Sequence, residues 1–240
     1  MTLLQIENVS KRFGAIVVAD DVNLSVGDGE ALGIIGPNGA GKTSLFNLIA
    51  GRYAPDGGKI VFQGRDVTAA SMQSRCHAGI ARTFQIPQPF SRMTVFENLM
   101  VAATAGAKKS IGDARRDSAD ILERTHLAPK ANVAAGGLPL LDRKRLELAR
   151  ALATGPKLLL LDEVAGGLTD PECVALVETI QAVRASGVAI VWIEHVVHAL
   201  MKVIDRLVVL HFGKLLKNGA PQSVMADAEV RQIYMGIEPT

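Results

Sequence analysis

Apolar and polar residues alternate over Leu4-Gln5-Ile6-Glu7-Asn8-Val9, the period-two pattern of a half-exposed strand. Val22 to Val26 reads as a second strand, ended by Gly27-Asp28-Gly29. Ala31-Leu32-Gly33-Ile34-Ile35 is a short apolar strand, and Ser44 to Ala50 has a helical pattern closed by Gly51. Lys59-Ile60-Val61-Phe62 is a further strand, followed by a turn at Gln63-Gly64-Arg65-Asp66. Several short strands before the first crossover predict an antiparallel β layer beside a parallel core. From about Pro87 to Thr154 the pattern is helical, with helices at Thr94–Ala103, Ile111–Thr125 and Asp142–Thr154 and a break at Gly136-Gly137-Leu138-Pro139. Strand and helix alternate again after Gly155-Pro156. Leu158 to Leu161 is uninterruptedly apolar, as a strand buried on both faces must be. A helix (Glu172–Ala185), a strand (Val188–Ile193), a helix (Val196–Val203), two strands (Leu207–Leu210 and Lys214–Lys217) and a helical tail (Gln222–Gly236) complete an α/β pattern.

At 240 residues the chain suits one large domain, or a domain with a subdomain. Hydrophobic residues make up 48% but aromatics only 4%, so the core must be built from Leu, Val, Ile and Ala. With 26 basic against 24 acidic residues, charge gives no argument for nucleic acid or an acidic partner. Cys76 and Cys173 are far apart and form no metal or disulfide pattern, which suits a reducing compartment. The first residues lack a signal-peptide design. No apolar run approaches the ~18 residues of a membrane span. The chain is expected to stay out of the bilayer while remaining free to dock onto a membrane protein. There is no internal repeat.

The chemistry starts at Gly36-Pro37-Asn38-Gly39-Ala40-Gly41-Lys42-Thr43, which fits the phosphate-loop pattern of Gly, four residues, Gly-Lys-Thr. It lies between an apolar strand and a helix, where glycines let backbone N–H groups turn inward around a phosphate. Lys42 can reach the β- and γ-phosphates of a nucleotide, and Thr43 can hold Mg²⁺. The second half adds Lys157-Leu158-Leu159-Leu160-Leu161-Asp162-Glu163, an apolar strand ending in two carboxylates. Phosphoryl transfer needs one carboxylate for the metal and a second group for the attacking water. Adjacent residues at a strand end point different ways, so Asp162 and Glu163 can divide those roles. No Asn-Lys-x-Asp guanine-reading motif occurs, which argues against a GTPase.

Together these motifs resemble the ATP-binding subunits of ABC transporters, from Leu4 to the tail. Arg82-Thr83-Phe84-Gln85, Met93 to Leu99, Arg145 to Leu152, Ile193-Glu194-His195 and Tyr234-Met235-Gly236 most resemble the subunits of branched-chain amino acid importers. The resemblance implies an ABC ATPase fold over residues 1–240: a P-loop core with an antiparallel β subdomain (1–86 and 155–240) and an inserted helical subdomain (87–154). It implies ATP and Mg²⁺ as cofactors. Phe13 is similar to the aromatic that stacks on adenine, although a strand-end core Phe is the alternative. Gln85 is similar to the glutamine that senses Mg²⁺ and the γ-phosphate, Asp162 to the Mg²⁺ ligand, Glu163 to the general base and His195 to the switch histidine. Nucleotide binding thus falls to Phe13, Gly36, Pro37, Asn38, Gly39, Ala40, Gly41, Lys42, Thr43, Ser44, Gln85 and Asp162. Metal binding falls to Thr43, Gln85 and Asp162, and catalysis to Lys42, Gln85, Glu163 and His195. His198 reads as a helix-surface residue. The implied setting is the cytoplasmic face of a bacterial inner membrane. The implied partners are permease subunits, a second ATP-binding subunit and, indirectly, a solute-binding protein, with no nucleic acid.

One motif departs from the family pattern. Where the signature Leu-Ser-Gly-Gly-Gln is expected, this chain has Leu138-Pro139-Leu140-Leu141-Asp142, without the hydroxyl and both glycines. Asp142 could cap the next helix, and Arg143, Lys144 and Arg145 could offset its charge beside a facing triphosphate. Val164 replaces the usual proline after the catalytic glutamate, and Gly167-Leu168-Thr169 stands where the dimer-contact loop usually ends in Asp or Asn. These departures predict an asymmetric pair with one strong and one weak ATP site. The expected function is an importer motor for branched-chain or related amino acids, with Ile86, Pro87, Phe90 and Met93 as a docking surface for the permease. The alternatives are a motor for urea or an aromatic acid, a lipid exporter motor, and a non-transport ABC ATPase or regulator.

Overall fold

A computed structural model describes residues 1–235. Strands β1 (Thr2–Phe13), β2 (Ile16–Gly27), β4 (Gly57–Phe62) and β5 (Arg65–Asp66) form an antiparallel sheet in the order β2-β1-β4-β5. Strands β3 (Ala31–Ile35), β6 (Ile80–Arg82), β7 (Leu158–Asp162), β8 (Ala189–Ile193), β9 (Arg206–His211) and β10 (Lys214–Gly219) form the second sheet. Its order is β10-β9-β3-β8-β7-β6, parallel throughout except for β10.

The apolar run in β7 is explained by the two cores on either side of it. Leu158 and Leu160 face the antiparallel sheet, among Leu4, Ile6, Phe46 and Phe62. Leu159 and Leu161 face the other way, among Leu146, Leu176, Ile180 and Trp192. All four leucines are fully buried. Each therefore contributes about 1.5–3 kcal/mol of transfer free energy, and over Leu158–Leu161 neither face of the strand has a partner for a polar side chain.

Helices α1 (Lys42–Ala50) and α2 (Met72–Ala78) lie on the antiparallel-sheet side, and α3 (Val95–Val101), α4 (Ile111–Arg124) and α5 (Leu140–Ala153) supply the helical segment. Thr94 and Glu97 close a capping box at the start of α3, and a π-helical turn (Ala102–Gly106) extends the helix. Helix α6 (Asp170–Ala185) begins with a second capping box, at Thr169 and Glu172. Helices α7 (Val197–Leu200), α8 (Pro221–Ala226) and α9 (Ala228–Met235) follow, so the expected helical tail is two helices. The Gly236 end of that tail lies outside the described residues. Helix α7 is shorter than Val196–Val203 and α5 begins two residues before Asp142. The expected turn at Gln63–Asp66 ends in the two-residue strand β5.

The pattern did not predict α2 or β6. Helix α2 is Met-Gln-Ser-Arg-Cys-His-Ala, and its one buried residue is an arginine. Arg75 is 1% exposed and caps the end of the phosphate-loop helix. Its guanidinium donates to the carbonyls of Leu48 (2.7 Å), Ile49 (2.8 Å), Thr68 (3.0 Å) and Ala70 (3.1 Å). Burial pulls its pKa down to about 10, so it remains a cation at neutral pH. Arg75→Met removes the side-chain donor from all four carbonyls, of which Leu48 keeps the Gly51 N–H at 3.2 Å. We expect a loss of about 3 kcal/mol, measured as a fall in unfolding midpoint with the urea m-value unchanged.

Candidate nucleotide and hydrolysis site

Ile34 of β3 pairs with Ile193 of β8, which also pairs with Asp162 of β7. The loops after these strands therefore leave the parallel sheet side by side at its C-terminal edge, where α/β sheets bind ligands. The segment after β6 emerges next to them, since Arg82 pairs with Leu160.

The loop after β3 needs its glycines. A Cβ on Gly36 would lie 2.1 Å from the Leu210 carbonyl oxygen. A Cβ on Gly41, at φ +103°, would lie 2.3 Å from that of Val18. Lys42 is buried, and its Nζ donates to the carbonyls of Gly36 (2.7 Å) and Pro37 (3.0 Å). Burial lowers the Lys42 pKa, while the charges of Glu163 and Asp162 pull it back up. A cavity of about 300 Å³ opens above the loop, lined by Asn38, Gly39, Ala40, Gly41, Lys42, Thr43 and Ser44 together with Ile16, Val18 and Glu163. Phe13 does not line it. Its ring meets Tyr53 edge-on at 5.1 Å and remains 42% exposed, while its hairpin partner Ile16 reaches the cavity.

Glu163 follows β7 with φ +48°, a left-handed conformation uncommon for a residue with a side chain. Its N–H donates to the Ile193 carbonyl at 2.9 Å, which ties the strained residue to the neighbouring strand. Gln85 Nε2 donates to one carboxylate oxygen of Glu163 at 2.5 Å, and His195 Nε2 donates to the other at 2.8 Å. Three residues from three different loops thus converge at the mouth of the phosphate-loop cavity. His198 is exposed on α7.

Asp162 is buried beside them, and its Oδ2 accepts from the Arg82 guanidinium at 2.7 Å. Among the described residues, Oδ1 has no protein donor, and Thr43, exposed in the cavity wall, makes no side-chain hydrogen bond. No group of three His, Cys, Asp or Glu among the described residues could hold an ion alone. A carboxylate oxygen and a hydroxyl, each without a protein partner, suit Mg²⁺, which takes one or two protein ligands and fills its shell with phosphate oxygens and water. The residues present fit that ion.

Three further residues have roles here that the sequence did not assign them. Glu194 is 1% exposed, with both oxygens engaged. One accepts from the N–H groups of His195 (3.0 Å) and Val196 (3.4 Å), the other from Ala165 N–H (3.0 Å) and Trp192 Nε1 (3.3 Å). It fastens the loop after β7 to the loop after β8. Lys144 is buried and donates to the backbone carbonyls of Gln85 (2.9 Å) and Glu163 (3.4 Å). Burial lowers its pKa, against the pull of Glu194, Glu163 and Glu147. The third is Arg82, tied to Asp162.

Lys144 belongs to a stripe. With three-residue spacing, Lys144, Glu147 and Arg150 share one face of α5. Glu147 accepts from the Arg150 guanidinium at 3.2 Å, and burial pushes its carboxyl pKa up against the pull of that cation. Arg150 donates to the Gln88 carbonyl at 2.7 Å and lies 5.1 Å from the centre of the Phe90 ring. The segment carrying Gln85 is thus clasped along α5. The i, i+3, i+6 repeat of charged residues was the available signal.

Asp142 and its neighbours correct the sequence expectation. Helix α5 starts at Leu140 with Pro139 in the cap position, so Asp142 lies in the first turn and caps nothing. Its carboxylate is bound by Lys130 and, at 3.7 Å, by Arg145. Arg143 donates to the carbonyls of Leu138 (2.7 Å) and Gly136 (3.3 Å). Lys144 is turned toward Gln85 and Arg145 toward Asp142, while Arg143 remains exposed at the helix start. Leu140 is 40% exposed at the helix start.

Fold and site define a phosphate-loop nucleotide-binding ATPase. The family model of the ABC transporter matches residues 19–166. The chain is 35% identical to the high-affinity branched-chain amino acid transport ATP-binding protein LivG of Escherichia coli (strain K12), over 98% of each chain. It is 36% identical to the lipopolysaccharide export system ATP-binding protein LptB of Haemophilus influenzae, again over 98% of each. The crystal structure of the ADP conformation of an ATP-binding cassette of an ABC transporter superposes with TM-score 0.89 at 32% identity, over 99% of this chain and 100% of that one. The chain belongs to the ABC transporter family as an ATP-binding subunit, an ATPase whose hydrolysis drives transport. ATP-binding subunits of this family pair with permease subunits and dimerise. Among the described residues, no helix is long and apolar enough to cross a membrane.

Proposed function

We propose that this chain powers uptake of branched-chain or related amino acids through a permease at the cytoplasmic face of the inner membrane. The observation that carries the hydrolytic part is the meeting of Gln85, Glu163 and His195 at the phosphate-loop cavity. Glu163 acts as the base. A water held between it and the γ-phosphate gives its proton to the carboxylate as its oxygen attacks phosphorus and the bond to the ADP oxygen breaks. His195 and Gln85 hold the carboxylate in place and meet the γ-phosphate. Lys42 exchanges its two loop carbonyls for phosphate oxygens. Thr43, Gln85 and Asp162 would hold Mg²⁺, which would supply charge neutralisation at the phosphates. Ile16 meets the adenine from the cavity wall, and its hairpin partner Phe13 stacks on adenine only by turning from Tyr53.

The importer reading rests on the 35% identity to LivG and on Arg82-Thr83-Phe84-Gln85. Residues 87–154 serve as the lobe that follows the permease. A groove of about 270 Å³ beside β6 is lined by Met72, Cys76, Phe84, Ala102, Glu147 and Arg150. With exposed Ile86 and Phe90 nearby, it suits a permease segment that is apolar with a polar end. The 36% identity to LptB favours a second reading, a lipid exporter motor. Purification of the tagged chain from membranes separates the two. Co-purification of a permease and a solute-binding protein supports import. A lipid-handling assembly without a solute-binding protein replaces that reading with export.

The degenerate segment Leu138 to Asp142 supports a heterodimer. This chain's own loop, Asp162, Glu163 and His195 are paired with an intact signature on a related subunit, and the partner's ATP faces the weak segment.

A further inference from the structure

Arg82 ends the short edge strand β6, three residues before Gln85. Its guanidinium bridges two elements of the site. One terminal nitrogen donates to Asp162 Oδ2 (2.7 Å) and the other to Asn47 Oδ1 on α1 (2.5 Å). The cation lies 5.4 Å from the centre of the Phe84 ring and 5.7 Å from that of Phe46. Its Nε is buried with no hydrogen-bond partner. The orientation that strands Nε is the one that serves Asp162 and Asn47. It fixes the Asp162 carboxylate by Oδ2 and leaves Oδ1 without a protein donor.

We infer that Arg82 is a positioning residue for the metal: it aims Asp162 Oδ1 at the Mg²⁺ of the bound nucleotide and ties that aim to the phosphate-loop helix through Asn47. The inference rests on the ATP-site reading above. Outer partners that orient a metal-binding group commonly contribute 10–100-fold to metal affinity. Arg82 acts here through the carboxylate and touches no reacting atom.

The test separates metal from nucleotide. The full-length chain, wild type and R82M, R82K and N47L, is titrated with a non-hydrolysable ATP analogue in EDTA. The analogue-loaded chain is then titrated with Mn²⁺, read by electron paramagnetic resonance. We expect R82M to weaken Mn²⁺ binding 10–100-fold while analogue affinity in EDTA stays within about twofold. R82K and N47L should fall between R82M and wild type. A merely structural arginine would weaken both affinities together, or neither. Unchanged or tighter Mn²⁺ binding in R82M overturns the inference, since tighter binding would make Arg82 a competitor of the metal. If R82M does not fold, R82K and N47L decide by the same criterion. Wild-type chain that binds no analogue at all would instead sink the ATP-site reading, and this inference with it.

Discussion

Glu163→Gln is expected to lower ATP turnover about 10²–10⁴-fold, the range of a lost general base, and to leave ATP affinity within a few-fold. The substitution keeps side-chain size and the backbone demand, since Gln and Glu tolerate φ +48° equally. An amide offers one acceptor oxygen where the carboxylate offers two, so the hydrogen bonds from Gln85 and His195 cannot both be kept. Above all, an amide cannot take the proton of the attacking water. Phosphate release under saturating ATP, beside a fluorescence titration with ATP, measures both halves. Equal turnover in Glu163→Gln and wild type would remove Glu163 from the base role. A regulator without hydrolysis would show no turnover in either.

Restoring the signature is the second large effect. In the triple variant P139S/L140G/L141G, the first turn of α5 regains a hydroxyl and loses two leucine side chains. The N–H groups of that turn have no partner within the helix, and they coincide with the positive end of its dipole. In wild type this turn carries the exposed Leu140. With glycine there, a γ-phosphate on a facing copy can approach the backbone. Turnover of the pure chain is expected to rise at least about tenfold, each 1.4 kcal/mol of transition-state stabilisation giving that factor. The two glycines cost at most about 1 kcal/mol each in helix propensity, so the fold should hold. No rise, in a variant that still binds ATP, would mean that Leu140 and Leu141 are not what limits the pure chain.

Some of this was legible in the chain and some was not, for physical reasons. Leu158 to Leu161 could be read because burial on both faces excludes polar residues along the whole strand. The glycine loop could be read because backbone conformation and close approach restrict residue type at Gly36 and Gly41. Asp162, Gln85 and His195 could be nominated one by one. Their convergence depends on the strand order β3-β8-β7-β6, which no local pattern encodes. Helix α2 was missed because its buried face is a single arginine. Arg82 pairs with a carboxylate 80 residues away, so nothing near it in sequence hints at the contact. Lys144 was expected to face a partner's phosphate. The helix starts at Leu140 and turns it inward to Gln85 and Glu163.

A chain that carries its own hydrolytic half-site but a weak signature, as proposed above, needs a different subunit to finish its own site. The most direct measurement compares ATP turnover of the purified chain alone with that of a reconstituted pair with a related subunit bearing Leu-Ser-Gly-Gly-Gln. Glu163→Gln in this chain is the control. The account predicts slow turnover alone, fast turnover in the pair, and loss of most of the pair's rate when Glu163 is replaced. Robust turnover by the chain alone, equal per subunit to that of the mixed pair, would contradict it.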